Sequence, residues 1–299
     1  MINQIYLLTA NHYKSGIKHH RYKDGLVLLL LSLLVTGCNI GGKTSTENPI
    51  TYDSISVEKV YHLLDNPDNP NCNLEIKFVF PVKYENEEIL SNLQTEFVSS
   101  YFGDTYEQLS PEEAVQEYTE DYLASYKDLE EDFKSEIAKS DDSPVGAWFS
   151  YYEMSSNQIV YNSKGIISYT VSFENYTGGA HGAHSYNNHV LDLNTGKAIV
   201  EEDIFNEGYQ DTLAQLLVNQ IAKQNNVTDI KELENIGFFS VDEIFPNGNF
   251  LVDDTGITYS FNEYEIAAYV VGTTNVYLPY EEIRFLLKEE SPISHIIGD

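Results

Sequence analysis

The chain of 299 residues is poor in cysteine, in cations, in tryptophan and methionine, and in long apolar runs. Each shortage closes off a class of protein. Cys38 and Cys72 are the only cysteines, too few for a disulfide framework, so the fold has to stand on a hydrophobic core. Lys plus Arg number 17 against 47 Asp plus Glu, a formal charge of −30. Phosphate backbones need a basic stripe, so nucleic acid is not an expected partner. The most apolar stretch, Leu26–Val35, falls short of the roughly 20 residues that cross a bilayer. No G-x-S-x-G motif occurs, which removes the commonest strand-borne serine nucleophile.

What is present is a sheet-rich composition. Aromatic residues make up 13% of the chain, with 23 tyrosines, and such rings suit a half-buried pleated surface. The length exceeds the roughly 100 to 200 residues of an ordinary domain, so one large domain or two moderate ones are expected.

The N-terminus reads as a targeting segment. Lys14, Lys18, Arg21 and Lys23 precede the apolar run, which ends in Val35-Thr36-Gly37-Cys38. This pattern resembles a bacterial lipobox. It implies a signal peptide over 1–37, cleavage before Cys38, and a diacylglyceryl group on the Cys38 thiol. Such an anchor places the protein in the cell envelope with the membrane as its first partner, and the expected site is the outer membrane facing the periplasm. Residues 38–54, rich in Gly, Ser, Thr and Asn, then read as a flexible tether.

From Asn73 to Tyr84 the apolar positions Leu74, Ile76, Phe78, Phe80 and Val82 alternate, which predicts a half-buried strand, and Pro81 suggests a sheet edge. Leu90, Leu93, Phe97 and Tyr101 mark one helix. A second starts at Ser110-Pro111 with the capping box closed by Glu113 and is expected to reach about Lys139. Its outer face carries Glu112, Glu117, Glu120, Asp121, Asp128, Glu131 and Asp132. Short strands AWFSYYEM, QIVYN and IISYTVSFENY follow, with turns at SSN and at Ser163–Gly165. A helix at about Gln210–Gln224, a hairpin through Asp253–Gly256 and a last strand NVYLPY with a short helix near Glu281–Leu287 complete the chain.

The least ordinary segment is Phe173–Phe205, where Gly178, Gly179 and Gly182 interrupt the strand period. Tyr176, Gly178, Gly179, His181, Gly182, His184 and Tyr186 form the candidate ligand-binding loop. His181 and His184, with Glu174 and His189 nearby, invite a zinc reading. Locally built zinc sites, however, set their histidines at i and i+4 on a helix, and this segment is a glycine loop. A structural turn, a binding loop and an acid/base pair remain open alternatives; no catalytic or metal-ligating residue and no cofactor is assigned.

YTGGAHG, a strand ending in DLNTGK, an acidic stretch closing in DIF, and a strand pair YEIAAYVVG and VYLPYEEI resemble the extracellular domain of RsiV-type anti-sigma factors. The same region with residues 55–105 is similar to the PdaC/SigV-type domain found beside peptidoglycan deacetylases. The resemblance spans roughly 55–290. It implies an α+β fold, an antiparallel sheet with helices packed on one side, divided into an N-terminal subdomain over 55–160, a C-terminal subdomain over 161–290, and a tail over 291–299. It also implies extracytoplasmic recognition, including binding of C-type lysozyme in the RsiV case. The deacetylase motif T-F-D-D-G is matched only by the LVDDTG turn, so catalysis does not carry over.

Three functions are therefore weighed. The first is a non-catalytic envelope module that binds a basic lysozyme-like protein or a cell-wall glycan. The second is a glycan hydrolase using the His181/His184 elbow, and the third is a structural envelope-assembly lipoprotein. The lipobox reading predicts that cells fed a clickable fatty acid tag the wild-type chain and lose the tag in Cys38→Ala; equal labelling of both would refute it.

Overall fold

The computed structural model describes residues 47–139 and 145–297. Residues 1–37, read above as a signal peptide, and Val35-Thr36-Gly37-Cys38, read as a lipobox, lie outside the described residues. Among the described residues no helix is long and apolar enough to cross a membrane. The described residues form one compact unit.

The unit opens with β1 (Thr51–His62) and β2 (Asn71–Lys83), a long antiparallel pair. Thr51 to Ser54, read as the end of the tether, are already strand. Tyr52 pairs with Pro81 and its ring sits 6.3 Å from that of Phe97, so apolar contact draws the chain into the sheet this early. In β2 the alternation holds: Leu74, Ile76, Phe78 and Phe80 are buried, while Val82 is exposed beyond the core. Pro81 does not mark an edge, because β2 lies between β1 and a third strand. That third strand pairs with β2 only from Cys72 to Lys77, so the missing proline N–H costs no ladder bond. At Val79 the Asn157 side chain replaces the ladder, Nδ2 donating to Val79 O at 2.8 Å and Oδ1 accepting from Val79 N at 2.7 Å.

α1 (Glu87–Phe102) is capped by Asn86, whose side chain accepts from the N–H groups of Glu88 and Ile89. α2 (Pro111–Lys127) carries the full Ser110/Glu113 capping box. It does not continue to Lys139: the chain breaks at Asp128-Leu129 and resumes as α3 (Glu130–Lys139). The break turns Glu130 back to accept from Tyr61 Oη at 2.7 Å and Leu64 N at 3.1 Å. It also sets Phe133 against Phe149, 5.3 Å between ring centroids, and leaves Ile137 exposed. A short α4 (Val145–Trp148) leads into β3 (Tyr151–Ser163).

β3 is one strand through Ser155-Ser156-Asn157, where a turn was expected. These polar residues have partners: Ser155 Oγ accepts from Tyr101 Oη at 3.0 Å, and Asn157 serves Val79. The turn at Lys164-Gly165 forms as expected, both residues taking positive φ (49° and 76°), and leads into β4 (Ile166–Tyr176). β5 (Ala183–Asp192) and the short β6 (Lys197–Ala198) complete a sheet of order β1-β2-β3-β4-β5-β6. The α+β class stands, with one departure from an all-antiparallel sheet. β2 and β3 are parallel, because α1 to α4 carry the chain across the sheet face between them.

After α5 (Glu201–Ile204) and α6 (Gln210–Gln224), β7 (Phe250–Val252), β8 (Gly256–Phe261) and β9 (Thr274–Pro279) form a second, antiparallel sheet, followed by α7 (Tyr280–Ile283). YEIAAYVVG, expected as a strand, is a loop with a helical turn at Tyr269–Val271. Only Ala267 bridges to Phe238, since its neighbours bond to Gly237 and Phe239 instead of to a full strand.

β4 and β5 are buried on both sides. Ile167, Tyr169, Val171 and Leu191 face α1 and α2, where Tyr169 stacks on Phe97 at 4.3 Å, while Ile166 and Val190 face α6 and the second sheet. Residue 160 lies inside β3. Truncation at the Phe97–Tyr169 stack is expected to cost about 3 to 5 kcal/mol. Urea unfolding of Phe97→Ala measures that loss directly.

Candidate functional site

The site is built on the strand period. In β4 the side chains of Ser168, Thr170, Ser172 and Glu174 leave the face opposite the helices; in β5 those of His184, Tyr186 and Asn188 do the same. The register sets Glu174 directly opposite His184. Of these, Thr170, His184, Tyr186 and Asn188 line a cleft of about 590 Å³ between the two sheets, floored by Thr170, Asn188, Ser260 and Asn275. A smaller hollow of about 210 Å³, lined by Lys77, Met154, Ser156, Ser172 and Glu174 among others, adjoins it, and both share His184 and Tyr186. The ring of Tyr186 is 41% exposed at this junction. The main cleft has the size of a small-molecule site.

A directed hydrogen-bond chain crosses the floor. Thr170 Oγ1 donates to Asn188 Oδ1 at 2.8 Å, Asn188 Nδ2 to Ser260 Oγ at 2.8 Å, and Ser260 Oγ to Asn275 Oδ1 at 2.7 Å. The second sheet is held to the outer edge of β5 by two asparagines. Asn249 Oδ1 accepts from Asn188 N at 2.7 Å and its Nδ2 donates to Tyr186 O at 2.9 Å. Asn262 Oδ1 accepts from Tyr186 N at 2.8 Å.

The glycine elbow leads into β5, whose His184 lines the cleft. Gly178 and Gly179 take φ of +90° and +107°. At Gly182 a Cβ would stand 2.9 Å from both Asn175 O and Tyr152 Oη, so only glycine fits. Tyr176 Oη closes the loop by donating to Gly179 O at 2.9 Å. His181 and His184 do not converge. His181 turns outward, its ring 4.1 Å from that of Tyr269 and its Nε2 3.2 Å from Tyr264 Oη. His184 turns inward between two carboxylates, Nε2 3.7 Å from Glu174 Oε1 and Nδ1 3.4 Å from Glu263 Oε1.

Glu263 and Tyr264 come from a tight turn, Asn262–Glu265, closed by Glu265 N donating to Asn262 O at 3.1 Å and by Glu265 Oε2 accepting from Asn262 N at 2.8 Å. Tyr264 holds φ +63°, a left-handed conformation costing a side chain about 1 to 2 kcal/mol, while its ring is 56% exposed. The strain keeps Glu263 on His184 and Tyr264 on His181.

His189, near the elbow in sequence, is not part of the site. It points to the helix side of β5 and stacks on Tyr169 at 5.1 Å, where burial pushes its pKa down to about 4. Among the described residues no three His, Cys, Asp or Glu converge to hold a metal ion. Cys72 is buried in a separate cluster with Leu63, Tyr126 and Phe133. As chemistry, the cleft offers hydroxyl and amide hydrogen bonds, an aromatic edge and an imidazole flanked by carboxylates, which can hold a ligand and pass a proton.

Of Tyr176, Gly178, Gly179, His181, Gly182, His184 and Tyr186, only His184 and Tyr186 line the cleft, and sequence reasoning missed the floor. The polar alternation Ser168, Thr170, Ser172 inside IISYTVSFENY was a readable signal for it. Glu263 and Tyr264 arrive from a turn about 80 residues further on, and no spacing announces that.

The fold recurs in known proteins. The family model described as protein of unknown function (DUF3298) matches residues 202–281, and that of deacetylase PdaC matches residues 68–184. A crystal structure of a DUF3298 family member from Bacteroides fragilis NCTC 9343 is 32% identical, covers 84% of this chain, is itself covered over 98%, and superposes with a TM-score of 0.79. The chain belongs to the DUF3298 family. A DUF3298 family protein from Pseudomonas aeruginosa PAO1, 13% identical with a TM-score of 0.58, covers 85% of this chain, is covered over 100% of its own length, and shares the fold. No curated protein matches. In this DUF3298 chain the PdaC match ends at His184 and the DUF3298 match begins at Glu202, so cleft residues come from both stretches.

His189 gives this DUF3298 protein a pH dependence whose sign is fixed. Its folded pKa of about 4 lies below the ordinary 6.5, so the unfolded chain binds the extra proton. The contribution is present above the ordinary value and is lost as pH falls through it toward the folded one. Between pH 7 and pH 5 the loss is expected to be about 2 kcal/mol. Denaturation curves of His189→Phe, which keeps the ring stack and removes the titration, should lack that part of the slope.

Proposed function

We propose that this DUF3298 protein is a lipid-anchored envelope protein, held through Cys38 in the outer membrane and facing the periplasm, whose folded unit binds glycan without turning it over. The observation that carries this reading is the cleft itself. Its floor is a row of hydroxyl and amide groups on rigid strands, Thr170, Asn188, Ser260 and Asn275, with the Tyr186 ring at the edge. Sugars present this need in reverse: many hydroxyls to pair, and a flat C–H face that lies on an aromatic ring. The separation of His181 from His184 and the burial of Cys72 leave neither a paired imidazole nor a thiol at the cleft, which supports binding over hydrolysis.

A second reading has its own observation. Glu112, Glu117, Glu120, Asp121, Asp128 and Glu131 are exposed on α2 and α3, on the side of the sheet away from the cleft, in a chain of charge −30. That face suits a basic protein of the lysozyme kind, with charge setting the rate of encounter more than the affinity. The two readings use different surfaces and are separable.

Calorimetric titration of the full chain with cell-wall oligosaccharides is expected to give saturable heat without new products. Tyr186→Ala should weaken binding roughly three- to tenfold. Silence with every oligosaccharide would remove the glycan reading. Heat with a C-type lysozyme that Tyr186→Ala leaves unchanged would favour the acidic face.

A further inference from the structure

The charge where the cleft meets the adjoining hollow is one-sided. Glu174 and Glu263 both face a single imidazole, that of His184. Whichever form His184 takes, two carboxylates against one imidazole leave negative charge in excess. The separations of 3.7 and 3.4 Å are too long for tight hydrogen bonds, so carboxylate lone pairs on both sides remain able to accept. The Glu263 side chain is only 14% exposed, which lowers the local dielectric and strengthens its demand for a cation. Glu263 lines the main cleft, and Glu174 stands in the adjoining hollow with Glu75 and Lys77, so across the two the carboxylates outnumber the one ammonium.

Beside this charge stands an aromatic surface that the fold maintains at a cost. The rings of His181, Tyr264 and Tyr269 lie nearly parallel, with interplanar angles of 23° to 29°, and Tyr264 is the chain neighbour of the cleft-lining Glu263. Tyr264 is kept in its left-handed conformation by the Asn262–Glu265 turn, with its ring in solvent instead of in the core. Backbone strain spent on an exposed ring does not serve packing. It is explained by something that lands on the ring.

We infer that the ligand is a glycan whose pyranose units carry a free amine, a deacetylated hexosamine. One sugar ring stacks on the Tyr264/Tyr269/His181 platform, and the ammonium of a neighbouring unit sits at Glu263 and Glu174, where its three N–H donors meet both carboxylates. A uronic-acid chain would be repelled from the same position. An acetylated sugar brings no positive charge to the carboxylates, whose present partners are His184 and, for Glu174, the Tyr152 hydroxyl. A lysine-rich peptide has the charge but no flat C–H face for the ring platform or hydroxyls for the floor. This inference rests on the glycan reading above and narrows it.

Titration of the full chain at about pH 6 and about 0.15 M salt, with glucosamine hexamer, its fully N-acetylated form, hexagalacturonate and hexalysine, decides it. Glucosamine hexamer is expected to bind roughly tenfold more tightly than the acetylated hexamer, and the other two weakly. Glu263→Gln should collapse that ratio toward one while leaving the acetylated hexamer within about twofold. Tyr264→Gly should weaken both hexamers yet leave the melting temperature unchanged or raised, because it releases the left-handed strain. A loss of melting temperature in Tyr264→Gly would overturn the platform. Equal affinity for the two hexamers overturns the amine inference and leaves glycan binding standing. Hexalysine binding as tightly as glucosamine hexamer overturns it in favour of charge alone. If no sugar binds, the glycan reading fails first and this inference with it.

Discussion

Two asparagine side chains hold the site together. Tyr186 and Asn188 stand on the outer edge of β5, past the point where the short β6 stops pairing, and their backbone groups would otherwise be open. Asn249 and Asn262, from the second sheet, bond to those groups as a neighbouring strand would. Unmade backbone bonds are costly and made ones are directional, so this joint fixes the two sheets in register. The cleft is the space that this joint leaves open. Side chains on its floor inherit their positions from two strands and two hairpins, which is why the floor can be polar and still ordered.

How much of this could be read in advance follows from the range over which each force acts. Local signals were legible: the Ser110-Pro111-Glu113 capping box, the Lys164-Gly165 turn, the bounds of α6 and the hairpin at Asp253–Gly256 depend on neighbours within a few residues. Where a polar residue's partner is distant, the same rules misread it. Ser155 and Asn157 look like a turn because Tyr101 and Val79, which satisfy them, are far away in sequence. The unbroken apolar stripe of Tyr122 and Phe133 hid the break at Asp128, which exists to deliver Glu130 to β1. At the site, the elbow was visible through its glycines, whereas the carboxylate and the ring that complete it come from a turn whose sequence carries no unusual signal.

The acidity of the chain looks different once the cleft is in view. Most of its carboxylates are solvated and carry no structure. Glu263 is otherwise placed: it is nearly buried, oriented by a strained turn, and faces an imidazole instead of a lysine. A fold that needed only to neutralise this group had cations to use. Leaving it with a weak partner keeps the position responsive to whatever enters.

β4 and β5 belong to both hydrophobic cores, with Tyr169 and Leu191 in one and Ile166 and Val190 in the other. Neither core can close on its own segment of chain, since each borrows a face of the same two strands. The helical crossover between the parallel β2 and β3 further raises the mean separation of contacting residues, which slows the search for the native state. As the chain emerges from its N-terminus, α1 follows β2 at once and covers part of its apolar face, but β4 and β5, which close both cores, come only later. The interval before they arrive is then the aggregation-prone moment in folding, and the excess of negative charge keeps neighbouring chains apart while it lasts.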